Sequence, residues 1–135
     1  MRFMMLVIPQ GYEKAGADKR PDPEKVGQMM KFNESLKKSG VLLALDGLHP
    51  PANGARVSFH GGKPKVTDGP FAEAKEVIGG YWMIQVKSRE EAIEWASRAP
   101  MGDDEIIEVR QVFEMSDFSP EVQKKAEGFE KLMKE

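Results

Sequence analysis

The stretch Val66-Thr67-Asp68-Gly69-Pro70-Phe71-Ala72-Glu73-Ala74-Lys75-Glu76 gathers side chains that move protons and hold ions. Asp68 stands where an apparent strand meets a Gly-Pro turn. An Asp in that setting either bonds the local backbone and helps the chain turn, or aims its carboxylate into a pocket as a general base. Lys75 suits an anionic substrate or a counter-charge for Asp68, and Glu76 offers a second acid/base. The alternative for both is a solvated loop with local ion pairs. His49 precedes Pro50-Pro51, which stiffen its loop, so its imidazole is either a second candidate base or an exposed loop histidine. Arg110 falls mid-strand between Glu108 and Val112, where a charge needs a partner: a substrate carboxylate, Asp68 or Glu76. Phe71, with Tyr81, Trp82 and the methionines, forms either an apolar pocket wall or simple core. The candidate catalytic residues are therefore Asp68 and His49. The candidate ligand-binding residues are Lys75, Glu76, Arg110 and Phe71, serving a small anionic or aromatic ligand. His60 abuts Gly61-Gly62 and reads as a surface residue.

Other chemistries are set aside by composition. The 135 residues include no cysteine, which removes thiol catalysis, disulfides and thiolate metal sites. The two histidines lack ligand spacing, so no metal is expected. No glycine-rich phosphate loop follows a strand, and no cofactor is expected. With 22 acidic against 20 basic residues the chain lacks the basic excess of a nucleic-acid binder. The longest apolar run, Phe3 to Ile8, has six residues, too short for a membrane span or a secretory core. A cytoplasmic protein with a single domain is expected.

The elements that must position these side chains follow from punctuation and period. Phe3–Ile8 reads as a strand buried on both faces, closed by Pro9. The polar stretch from Gln10 to Pro23 is a loop long enough to be functional or mobile. Asp22-Pro23 opens a helix with Val26, Met29, Met30, Phe32 and Leu36 as its stripe, although Asn33 interrupts it. Gly40 closes that helix, and Val41–Leu45 is the next strand. Arg56–His60 and Lys63–Thr67 form a hairpin across Gly61-Gly62, with Pro64 marking an edge. Tyr81–Val86 is a strand. Ser88-Arg89-Glu90-Glu91 is a capping box ahead of a helix that stops before Pro100. Glu105–Met115 is a long last strand. Ser119-Pro120 caps a final helix whose seam of Val122, Ala126, Phe129 and Met133 docks on the body or on a partner chain, with Gly128 a weak point.

The order β-α-β, hairpin, β-α-β, tail helix is a ferredoxin-like split βαβ pattern with an inserted β-hairpin and a C-terminal helix, an α+β fold. Right-handed crossovers place both main helices on one face of the sheet. Three strands are apolar on both faces, so the second face calls for a partner sheet, and a homodimer is expected.

The motif segment around Asp68-Gly69-Pro70-Phe71 resembles the signature of the DGPF branch of the YCII-related family. Lys31-Phe32-Asn33-Glu34, Gly47-Leu48-His49-Pro50-Pro51, Gly79-Gly80-Tyr81-Trp82 and Ile107-Glu108-Val109-Arg110-Gln111-Val112 match in the same order. The resemblance covers roughly residues 1–115, leaving 116–135 as a helical extension. It implies a dimeric α+β barrel. It also implies either a small-molecule binder or lyase-type enzyme with a pocket near the motif, or a non-catalytic sensor or regulatory dimer linked to an extracytoplasmic-function sigma factor in bacteria. Wider relatives use a His–Asp pair with the His on the first helix. No histidine lies between Pro23 and Gly40 here, so those catalytic residues are not carried over, and His49 is the candidate replacement.

Overall fold

A computed structural model describes residues 1–134. Strand β1 (Arg2–Ile8) is followed by the loop, helix α1 (Pro23–Lys38) and strand β2 (Leu42–Gly47). The hairpin β3 (Ala55–His60) and β4 (Lys63–Asp68) comes next. Strand β5 (Gly80–Gln85), helix α2 (Arg89–Ser97) and strand β6 (Ile106–Gln111) complete the second half. Two short helices, α3 (Pro120–Lys125) and α4 (Phe129–Met133), end the described chain. The main sheet has the order β2-β5-β1-β6 with antiparallel neighbours, which is the split βαβ arrangement expected from the element order.

Local chemistry explains the boundaries. The Asp22 carboxylate accepts the Lys25 N–H at 3.3 Å, and Pro23 occupies the first helical turn. Ser88 caps α2 through the Glu91 N–H at 3.1 Å. The Glu91 carboxylate reaches back one residue further than a capping box requires, to the Lys87 N–H at 2.9 Å.

One face of the sheet carries α1 and α2. Phe3, Met5, Trp82 and Ile84 point into this layer and meet Phe32, Leu36 and Trp95. Phe32 sits edge-on to Trp82, with centroids 5.0 Å apart. Asn33, the polar interruption of the helical stripe, accepts the Trp82 indole N–H at 2.7 Å. The interruption is therefore the partner a buried indole needs. Met30, assigned to the stripe from its spacing, faces outward instead.

The opposite sheet face has no cover among the described residues. Met4, Leu6, Ile8, Tyr81 and Met83 lie on it half-buried, and Ile106 is exposed. Neither the hairpin nor the tail folds across it. Every hairpin residue is exposed, and α3 and α4 make no extensive contact with any strand.

Several strand ends shift by one residue from the sequence reading, and three elements differ in ways with a physical cause. Strand β2 begins one residue later and carries a bulge between Leu42 and Ala44, which leaves Leu43 exposed. Strand β6 stops at Gln111 instead of running from Glu105 to Met115. Its partner β1 begins at Arg2, whose carbonyl accepts the Val112 N–H at 2.9 Å, and the ladder has nothing further to pair with. The single tail helix is two, because Gly128, the residue ahead of α4, adopts φ +92°, a left-handed conformation that a continuous right-handed helix does not contain. Val122, Phe129 and Met133 of the expected seam are exposed, so the seam does not dock on its own chain.

Candidate functional site

A cavity of about 620 Å³ lies at one end of the main sheet. It is assembled from chain segments that the fold brings together. Val7 and Pro9 leave β1, Gly47 and Leu48 leave β2, and Gly79 leads into β5. These ends are tied together by the Gly79 N–H donating to the Val7 carbonyl at 2.7 Å and the Leu48 N–H donating to the Gly79 carbonyl at 2.9 Å. Val26 and Met29 from the first turns of α1 and Met101 add apolar wall. The loop that precedes α1 closes the remaining side with Tyr12, Lys19, Arg20 and Asp22. Tyr12 is anchored by its hydroxyl, which donates to the Leu48 carbonyl. Burial pushes the Tyr12 pKa above its ordinary value, so the phenol stays protonated at neutral pH.

The charges in this cavity are unevenly engaged. Lys25 Nζ lies 2.6 Å from Glu105 Oε1, and the same oxygen accepts the Gly102 N–H at 2.8 Å. Burial raises the Glu105 pKa, but the Lys25 ammonium and the Gly102 amide outweigh it, and the net displacement is downward. Asp22 is occupied in capping α1. Lys19 and Arg20, by contrast, form no ion pair among the described residues. Among the described residues the Arg20 guanidinium bonds only the Lys19 carbonyl, at 3.2 Å. The cavity thus pairs an apolar floor with two loop cations that form no ion pair among the described residues.

The six candidate residues fall in three places. His49 lines the cavity, opposite the first turns of α1. Its Nδ1 lies 3.1 Å from the Asn53 amide nitrogen. Asp68, Phe71, Lys75 and Glu76 belong to the base of the hairpin and the segment behind it, and none of residues 68–76 lines the cavity. Asp68, Lys75 and Glu76 are exposed and form no ion pair among the described residues. Phe71 is half-buried beneath the Arg56 guanidinium, 4.0 Å above its ring centroid. Gly69 is packed so closely that a Cβ would lie 1.7 Å from the Pro51 carbonyl oxygen, while its N–H donates to the Gly54 carbonyl at 2.8 Å. In the single chain the Asp-Gly-Pro turn therefore braces the hairpin, and motif and cavity are separate places.

Arg110 lies on the uncovered sheet face. Its partner in the chain is Glu108 at 3.2 Å, rather than Asp68 or Glu76. Among the described residues no group of three His, Asp or Glu side chains is arranged to hold a metal ion.

Tyr12, Lys19, Arg20, Lys25 and Glu105 were not singled out from the sequence. The unusual length of the loop after β1 was the one available signal for the first three. Nothing local marks Lys25 and Glu105 as partners, because 80 positions separate them.

No curated protein matches the chain. Among the described residues no helix is long and apolar enough to cross a membrane. The sequence model of the YCII-related domain matches residues 1–116, a span that takes in the whole main sheet, α1, α2 and every residue of the cavity, and stops short of α3 and α4. The chain belongs to the YCII-related family.

Proposed function

We propose that this protein binds a small amphipathic anion in the 620 Å³ cavity and works as a homodimer. One observation carries the binding reading. Among the described residues Lys19 and Arg20 form no ion pair with a carboxylate, and they stand beside a floor of Val7, Val26, Met29 and Met101. An apolar body with an anionic head satisfies both halves of such a site.

Binding is favoured over lyase-type turnover. A proton-abstracting base must be free to accept a proton. Asp22 is committed to the helix cap, Glu105 to Lys25, Tyr12 holds its proton, and His49 Nδ1 faces the Asn53 amide nitrogen at 3.1 Å. A non-catalytic sensor is thus the form of the binding reading that the cavity chemistry supports.

The dimer reading rests on the bare sheet face. Its half-buried centre of Met4, Leu6, Ile8 and Met83 is bordered by polar pairs: Arg2–Glu114 at 2.7 Å, Tyr81–Asp46 at 2.8 Å and Arg110–Glu108 at 3.2 Å. An apolar centre with a polar rim is the usual anatomy of a protein interface. Packing this face on its twofold mate would give the dimeric α+β barrel that the sequence resemblance implies.

The test of the site is a thermal-shift series with aryl carboxylates and their neutral alcohols. Benzoate-type ligands at saturating concentration are expected to raise the melting temperature, and the alcohols to do so much less. A ligand at about 100 times its Kd adds ~2.7 kcal/mol. The gain should vanish in Lys19→Ala/Arg20→Ala. Equal response to acids and alcohols, or a response that survives the double substitution, would remove the anion-binding role.

A further inference from the structure

Asn53 follows Pro51 in the turn that leads to the hairpin, and its amide nitrogen serves two neighbours. Nδ2 donates to the Ala17 carbonyl at 3.0 Å and lies 3.1 Å from His49 Nδ1. A carboxamide nitrogen only donates, and a peptide carbonyl only accepts. The Ala17 carbonyl therefore fixes the orientation of the Asn53 amide, because the flipped amide would set two oxygens against each other. With Nδ2 in this place, His49 Nδ1 must accept, and a neutral imidazole then carries its proton on Nε2. His49 lines the cavity and Asn53 does not, so Nε2–H is the edge left for a ligand.

We propose that Asn53 is a positioning residue that presents His49 to the cavity as a hydrogen-bond donor, and that the ligand is a carboxylate with one oxygen on His49 Nε2–H and its charge opposite Lys19 and Arg20. This rests on the cavity being the ligand site, and it sharpens that reading. In its neutral form the imidazole would offer the ligand a proton donor, a role different from the proton-abstracting base that is one of the two sequence readings of His49. The same amide ties the loop before α1, through Ala17, to the loop after β2. That tie adds to the one the Tyr12 hydroxyl makes to the Leu48 carbonyl.

The tautomer is read directly by long-range proton–nitrogen correlation on the full-length, nitrogen-labelled protein at a pH where histidine is neutral. The chain has two histidines, and a His60→Gln variant assigns them. His49 is expected as the Nε2–H form. Asn53→Asp replaces the donor by an acceptor and is expected to draw the proton to Nδ1, and Asn53→Ala to relax the preference. Benzoate is the probe for the ligand class. It should move the His49 Nε2 resonance and bind Asn53→Ala more weakly, by less than the roughly tenfold weight of one charge-assisted hydrogen bond, because the relaxed imidazole still samples the Nε2–H form. Benzyl alcohol should bind both proteins alike. A wild-type His49 protonated on Nδ1, or a tautomer that Asn53→Asp leaves unchanged, overturns the positioning role. If the tautomers behave as expected but benzoate moves neither His49 nor the Met29 methyl, the carboxylate assignment falls together with the cavity reading, and the Asn53–His49 coupling stands by itself.

Discussion

Glu105 holds its charge against its surroundings. Its side chain is only 10% exposed, yet the Lys25 ammonium and the Gly102 amide keep its pKa below the ordinary 4.5. A carboxylate whose pKa is depressed on folding contributes stability that is complete above its unfolded pKa and is lost as the pH falls through the folded one. Glu105→Gln should therefore cost about 1 kcal/mol at pH 7 and progressively less towards pH 3. Melting curves of the two proteins across that range check this, and parallel curves would mean that the pair contributes nothing. Gly69 makes the opposite kind of demand, for space. A methyl group there would meet the Pro51 carbonyl at 1.7 Å, so Gly69→Ala should lose about 1–3 kcal/mol in urea unfolding. Its neighbour Asp68 is exposed and forms no ion pair among the described residues, so Asp68→Asn should leave both stability and benzoate affinity within about 0.5 kcal/mol of the parent. A large loss of affinity would return Asp68 to the site from which the single-chain geometry separates it.

At the level of elements, the clearest sequence signals were local ones. Asp22-Pro23 and Gly40 bracket α1 because a cap, a pre-set φ and a left-handed exit act over one or two residues. The Gly61-Gly62 hairpin was legible for the same reason. The length of β6 was not, since it depends on where β1 begins, more than 100 positions away in the chain. Nor was the cavity, whose lining runs from Val7 to Glu105 and exists only once the sheet order is set. The tail shows how one residue can divide an element. Gly128→Ala removes the residue that tolerates φ +92° and should fuse α3 and α4 into one helix, raising the helical circular-dichroism signal. An unchanged spectrum would assign the break to contacts instead of to the glycine.

For the whole molecule, the bare sheet face dominates. A homodimer predicts a solution mass of twice 15.1 kDa. Leu6→Lys, which puts a charge at the centre of that face, should shift the mass towards the monomer with the helix-covered core intact. A variant that stays dimeric would place the interface elsewhere. The apolar surplus behind this expectation was visible in the strands themselves, because a strand that is hydrophobic at every position has two faces to bury. What could not be read was which surfaces the hairpin leaves free. Its alternation sets Val57, Phe59, Pro64 and Val66 on one side and Arg56, His60, Lys63 and Lys65 on the other, and neither side touches the main body extensively. Such an arm is energetically its own unit. Its amide protons should exchange with solvent through local opening, far faster than those of β1 and β5 and at a rate indifferent to global denaturant stability. Whatever slows that exchange would identify itself as the arm's binding partner without any need to see the complex.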